Sequence, residues 1–218
     1  TEVESACKIV IGRLQVEKNS MSDKHYVVIG GSKGIGLDIT RRLLDLNGHV
    51  TVVSRSKGQL DAVDAVNHLP LDILQDEIDP LAIPEIISGL VYCPGSIQLR
   101  PFNRLAPDGF LVDFQINVLG AVKVIQACLP GLKRSATASS IVLFSTVAVQ
   151  TGMPFHASIS SAKGAIEGLT RSLAAELAPK IRINAVAPSL TDTSLAQALL
   201  SDENQRSAAA QRHPLKRF

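Results

Sequence analysis

The 218-residue chain has only three cysteines, Cys7, Cys93 and Cys128, an odd and scattered set that excludes a disulfide framework and suits a reducing cytoplasm. It has no CxxC pair and no His/Cys cluster, so the sequence offers no metal site. It has no lysine- or arginine-rich block: 22 Lys+Arg against 20 Asp+Glu leave a formal charge of +2. Neither nucleic acid nor a membrane surface is therefore an expected partner. The longest apolar runs are strand-sized, which argues against a transmembrane span, and the N-terminus lacks a signal-peptide layout. There is no internal repeat and no low-complexity linker. What is present is a 45% hydrophobic chain, long enough for one domain with a large core.

From Lys24 onward, short apolar runs alternate with helical periodicity. Val27–Ile29, Val50–Val53, Leu90–Cys93, Ile141–Phe144 and Ile181–Val186 are continuous β-branched or apolar runs, as expected of parallel strands covered on both faces. Helices are predicted over about Gly34–Leu46, Asp108–Leu132 and Ser158–Leu177. The last carries Ile166, Leu169, Leu173 and Leu177 as one apolar stripe. His68–Asp72 reads as a short third strand, bounded by Pro70, Pro80 and Pro84. The expected fold is α/β: a doubly wound parallel sheet of the Rossmann type, as a single domain over residues 24–218. Residues 1–23 read as a poorly anchored leader or extra segment outside that domain, where disorder is expected. The alternation Lys8–Leu14 offers an extra strand there, and Met21 a natural start.

The run His25–Gly36 reads as a buried strand, a glycine turn and a helix start. Gly30 permits the sharp turn, and Gly34 and Gly36 let a pyrophosphate and the sheet approach. The loop residues Ser32, Lys33 and Ile35 would present backbone N–H groups to phosphate oxygens at the helix N-terminus. At the end of the second strand, an acid would bind the ribose hydroxyls of NAD. Here the residues are Ser54 and Arg55, with Lys33 nearby in the loop. Two cations and a hydroxyl suit a 2′-phosphate, so the expected cofactor is NADP(H).

The spacing Gly30-x-x-x-Gly34-x-Gly36 resembles the glycine motif of the short-chain dehydrogenase/reductase family. Further segments agree in order. Leu71-Asp72-Ile73 resembles the family's segment at the adenine ring. Tyr92-Cys93-Pro94-Gly95 stands where the family has Asn-Asn-Ala-Gly, with only Gly95 kept. Asn117 matches the helix Asn, and Thr146 the catalytic Ser position. Lys163 matches the catalytic Lys. Asn184–Ser189, including Pro188, resembles the Asn-Ala-Val-Ala-Pro-Gly segment. Thr191 and Thr193 then lie where the family contacts the nicotinamide carboxamide and phosphates, and Thr191–Leu200 where it places a mobile substrate lid. Leu195, Leu199 and Leu200 suggest an apolar wall there, though packing accounts for them equally. The family pattern continues with a further helix and strand that this sequence, stopping at Phe218, would lack.

The resemblance implies hydride transfer between a nicotinamide and a small carbonyl or alcohol substrate. It also implies a homo-oligomer, dimer or tetramer, paired through the two long helices. In the family a Tyr gives the proton, the Lys four residues later holds the ribose and lowers the Tyr pKa, the Ser polarises the carbonyl, and the Asn helps hold a water relay. Thr146, Lys163 and Asn117 keep those places, but the Tyr position is Ile159, which can neither donate nor accept a proton. His156, seven residues before Lys163, is one substitute acid; equally it is a loop His bonded to backbone. A water held by Thr146 and Lys163 is another. Ser158 and Ser160 flank the position but are poor acids, expected to cap or line the helix start. Two readings stay open: a reductase with an altered proton donor, or a catalytically silent NADP-binding sensor or partner subunit.

Overall fold

The computed structural model describes residues 2–15, 23–63, 65–197, 200 and 202–212. Six parallel strands form one sheet: β1 (His25–Ile29), β2 (His49–Ser54), β3 (Val66–Pro70), β4 (Gly89–Tyr92), β5 (Ser139–Phe144) and β6 (Ile181–Val186). Their order, β3-β2-β1-β4-β5-β6, reverses between β1 and β4. A crevice opens at the carboxyl ends of the strands at such a reversal. Register aims the chain at it. Ile29 lies level with Val53 and with Tyr92, so the turns starting at Gly30, Ser54 and Cys93 leave the sheet side by side.

The strands are apolar throughout because both faces are covered, and the two-residue period sorts side chains between two cores. Val27, Ile29, Leu90, Tyr92, Ile141 and Leu143 point to one side. There they meet α4 (Gly120–Arg134) and α6 (Ala157–Leu177), through Val124, Cys128, Leu132 and Ile166. The stripe Leu169, Leu173 and Leu177 packs at the edge of that cluster. Tyr26, Val28, Val91, Val142 and Phe144 point to the other side, against Leu37, Ile39 and Leu43 of α2 (Gly34–Asp45).

Three sequence expectations change. Residues 8–14 form no extra strand and are no loose leader. They belong to α1 (Glu2–Leu14), whose Cys7, Val10 and Leu14 are buried in the α2-side core. The apolar positions 7, 10 and 14 follow the helical period, and the local alternation yields to it once a sheet face is there to be covered. The Arg13 carbonyl at the end of α1 accepts from Ser140 Oγ at 3.0 Å and from Arg182 Nη1 at 3.0 Å. Residues 16–22, with Met21, lie outside the described ones.

The third strand sits two residues earlier than expected. Leu71, Asp72 and Ile73 follow β3 in a turn, because the Asp72 carboxylate accepts from Leu74 N–H at 3.0 Å and closes the chain on itself.

Finally, residues Pro107–Arg134 run as one helix long and apolar enough, by composition, to cross a membrane. It comprises α3 (Pro107–Phe114), a wide π turn (Gln115–Leu119) and α4. In this fold it is a domain helix. One side buries Asp113, Asn117, Val124 and Leu132, and the other leaves Leu111, Phe114 and Leu119 exposed.

Candidate functional site: a dinucleotide-shaped cleft with a buried amine

The glycine loop is built for close approach. Gly30 (φ +74°) and Gly34 (φ +53°) occupy the left-handed region. A side chain on Gly36 would collide with the carbonyl oxygen of Gly30. The N-cap of α2, Lys33, makes no side-chain capping bond, and the helix ladder starts with Leu37 N–H to Lys33 O at 3.2 Å. The amides of Gly34, Ile35 and Gly36 therefore have no acceptor within the helix, the condition for binding an anion.

These amides border an open cleft of about 520 Å³. Of the residues expected to hold a cofactor, Gly30, Ser32, Lys33, Gly34, Ile35, Gly36, Ser54, Arg55, Asp72, Ile73, Gly95 and Thr193 line it. Lys33 and Arg55 are exposed, while the Ser54 hydroxyl is turned inward to Ser56 O at 2.9 Å and His68 Nε2 at 3.0 Å. Asn117, Lys163, Pro188 and Thr191 stand outside the lining. The carbonyl of Pro188 accepts from Val147 N–H, and the Thr191 hydroxyl donates to Ser189 O at 3.0 Å. Leu195 faces the cleft; Leu200 packs instead with Ala196 and Leu190, and Leu199 lies outside the described residues.

Behind Gly95 lie an amide and an amine. A side chain on that glycine would come within 3.3 Å of Asn117 Oδ1 and 3.8 Å of Lys163 Nζ. Asn117 sits in the π turn, where helix carbonyls need partners from outside the normal ladder. Its Nδ2 donates to Asp113 O at 2.8 Å, and Tyr92 Oη donates to Ile116 O at 2.6 Å. Asn117 Oδ1 is buried without a partner among the described residues. An orphaned acceptor next to an amine fits a bound water or ligand group there. Burial brings the Lys163 pKa down from 10.5 to about 8, opposed by attraction to Cys93 and Asp113. Burial also pushes the Cys93 thiol up to about 12, against the pull of Lys163.

Ile159 is buried, 4% exposed, in the first turn of α6. Thr146 Oγ1 accepts from Ala148 N–H at 3.3 Å. His156 caps α6, its Nδ1 2.7 Å from Pro154 O, which is the backbone-bonded alternative of the two open for it. Ser160 Oγ donates to Ala148 O at 3.5 Å.

Sequence reasoning missed a polar cluster. Asp113 has no exposed surface, and its carboxylate accepts from Ser96 Oγ at 2.5 Å and Ser158 Oγ at 2.6 Å. The only sequence signal was Asp113 standing four residues before Asn117, on the same helix face. An acid on an amphipathic helix ordinarily reads as surface.

The fold and cleft together define a nucleotide-binding α/β domain carrying an amine and an amide at one end of its crevice. The family model described as short chain dehydrogenase matches residues 24–204, and the chain belongs to that family. It is 31% identical over 205 residues to L-xylulose reductase of Bos taurus, covering 91% of this chain and 84% of that protein. Among solved structures it resembles ElxO with NADP bound (25% identical, TM-score 0.80, covering 89% of this chain and 85% of that one). The Pseudomonas aeruginosa RhlG/NADP complex shares the fold at 23% identity and TM-score 0.84, over 93% of this chain and 86% of that one.

Proposed function

We propose that this chain is an NADP(H)-dependent oxidoreductase acting on a small carbonyl or alcohol, with a proton donor other than tyrosine. The observation that carries the proposal is one cleft lined by both the uncapped glycine-loop helix and Gly95, with Lys163 Nζ and Asn117 Oδ1, buried without a partner among the described residues, just behind that glycine. Relatives whose names or descriptions include a reductase and NADP support it. When bound, the nicotinamide supplies or accepts the hydride.

The residues divide the remaining work. The amides of Gly34, Ile35 and Gly36 hold the pyrophosphate, Lys33 and Arg55 the 2′-phosphate, and Asp72 and Ile73 border the adenine. Thr193 packs beside Gly34. Lys163 holds the ribose, Thr146 polarises the carbonyl, and Asn117 Oδ1 holds a water. The exposed row Leu111, Phe114 and Leu119 supports pairing of two copies through this helix and α6.

One feature favours the second reading, a silent NADP-binding protein: Ile159, which the family resemblance aligns with the tyrosine position, is buried and carries no titratable group. The deciding experiment has two arms. Calorimetric titration is expected to give NADPH tighter than NADH by at least about tenfold, since each charge-assisted bond contributes ~1.5–3 kcal/mol and both cations are screened by solvent. Arg55→Ala should erase much of that preference. A scan of NADPH oxidation across aldehydes, ketones and quinones then separates enzyme from silent binder. Equal affinities would overturn the cofactor assignment, and tight NADPH binding without turnover on any carbonyl would favour the silent binder.

A further inference from the structure

We infer that Ser96 and Asp113 are positioning residues for Asn117. Together they fix which way round its side-chain amide sits, so that Oδ1 is the atom offered beside Gly95 and this end of the cleft takes a hydrogen-bond donor. The catalytic consequence rests on reading the cleft as a reductase site.

A chain of hydrogen bonds sets the orientation. Asp113 has no exposed surface, and both of its side-chain oxygens accept, Oδ1 from Ser96 Oγ at 2.5 Å and Oδ2 from Ser158 Oγ at 2.6 Å. A serine hydroxyl has one hydrogen. Ser96 commits it to Asp113, so toward Asn117 its oxygen can only accept. It accepts from Asn117 Nδ2 at 3.2 Å, and Nδ2 also donates to Asp113 O at 2.8 Å. Both hydrogens of the amide are then in use, and Oδ1 is left on its other side. That oxygen is buried without a partner among the described residues, and a side chain on Gly95 would meet it at 3.3 Å. Reversing the amide would set Oδ1 against the Asp113 carbonyl and the Ser96 oxygen, an acceptor facing acceptors in a buried place.

The cluster stands directly behind the cleft wall, since Gly95 lines the cleft and Ser96 is the next residue. With Oδ1 forward, the site holds a water, a hydroxyl or an ammonium and turns away an acceptor-only group such as a carboxylate. In the proposed function this oxygen holds a water. Its orientation therefore bears on turnover, while capture of the cofactor's phosphates stays with the glycine loop. The same bonds also brace the wide turn at Gln115–Leu119, and the variants are chosen to separate the two roles.

The test compares four variants with the natural full chain. Ser96→Ala breaks the path to the amide, and Ser96→Thr keeps the hydroxyl. Asp113→Asn keeps the volume but can set an N–H against Ser96 Oγ, which frees the serine's hydrogen to turn on Asn117. Ser158→Ala removes the other bond to Asp113 and leaves the partners of the amide in place. With isotope-labelled asparagine, the Asn117 Nδ2 protons should exchange with solvent about tenfold faster in Ser96→Ala than in the natural chain, the factor one hydrogen bond supplies. In NADPH oxidation, kcat should fall about tenfold or more in Ser96→Ala and Asp113→Asn with KM for NADPH within about twofold. Ser96→Thr and Ser158→Ala should stay within about twofold of the natural chain in both. Equal losses of kcat in Ser96→Ala and Ser158→Ala, or an unmoved exchange rate in Ser96→Ala, overturn the inference and leave the proposed function standing. Failure of the natural chain to oxidise NADPH strikes the proposed function instead, and the exchange rates still decide the inference. If Ser96→Ala does not fold, Ser96→Cys takes its place: its S–H is a weak donor and its sulfur a weak acceptor, and the absence of faster exchange there overturns the inference.

Discussion

Replacing Lys163 by Met should make the protein more stable and less active, with a pH dependence set by the buried amine. Its pKa falls from 10.5 to about 8 because burial disfavours the charged form. At 1.36 kcal/mol per pKa unit, holding the ammonium in place costs at most about 3 kcal/mol of folding stability at neutral pH. That figure is already net of the attractions to Cys93 and Asp113. Lys163 is also only partly buried, so roughly 2 kcal/mol is the working expectation. Met mimics the neutral amine in length and should recover this amount.

The sign follows from linkage. Between pH 8 and 10.5 the unfolded chain binds the lysine proton and the native chain does not. The natural protein therefore gains stability across that window, and below it pays the full penalty. Tyr26, raised to about 12 by burial, acts oppositely, since stability it contributes is lost as pH rises past 10. The difference between variant and natural chain cancels that contribution. Urea unfolding at intervals from pH 6 to 10.5 should show a gap of about 2–3 kcal/mol below pH 8 that closes by pH 10.5. A gap independent of pH, or a less stable Met variant at pH 7, would refute the reasoning.

Ile159→Tyr should raise turnover of an activated ketone by up to the ~10²–10⁴ that a general acid supplies, while costing roughly 1–3 kcal/mol for overfilling a buried position; steady-state NADPH oxidation and a thermal melt read both. Leu14→Ala should cost about 2–4 kcal/mol, because Leu14 is buried beside Tyr26 and Gly89; an unchanged urea midpoint would mean α1 adds nothing to the core. Leu119→Arg, placing a charge on the exposed row of the long helix, should yield monomers by light scattering at micromolar concentration, and an unaltered mass would remove this face as the pairing surface.

Much of the fold was legible because its signals are local. Five strands announce themselves as apolar runs, since a parallel sheet covered on both faces needs no polar alternation. The glycine loop is equally readable, because Gly30, Gly34 and Gly36 satisfy backbone requirements that no other residue meets. Lys163, Asn117 and Thr146 were found by their places in a motif. The approach of Asn117 Oδ1 and Lys163 Nζ to one another behind Gly95 was not in the residues themselves.

What the sequence by itself determined, then, is the succession of the strands, the glycine loop that follows the first of them, and an isoleucine at position 159, four residues before Lys163. Each depends on residues within a few positions of one another. The tertiary structure alone decided three things. Residues 8–14 become helix because an uncovered sheet face awaits them. Asn117 sits in the wide turn at Gln115–Leu119 with its Oδ1 unpaired among the described residues. Asp113, an ordinary helix acid in the sequence, becomes a buried, hydrogen-bonded side chain because Ser96 and Ser158, 17 and 45 residues away along the chain, fold onto its two oxygens. Burial and partnership are properties of non-local contact, and burial is what lowers the pKa of the Lys163 amine.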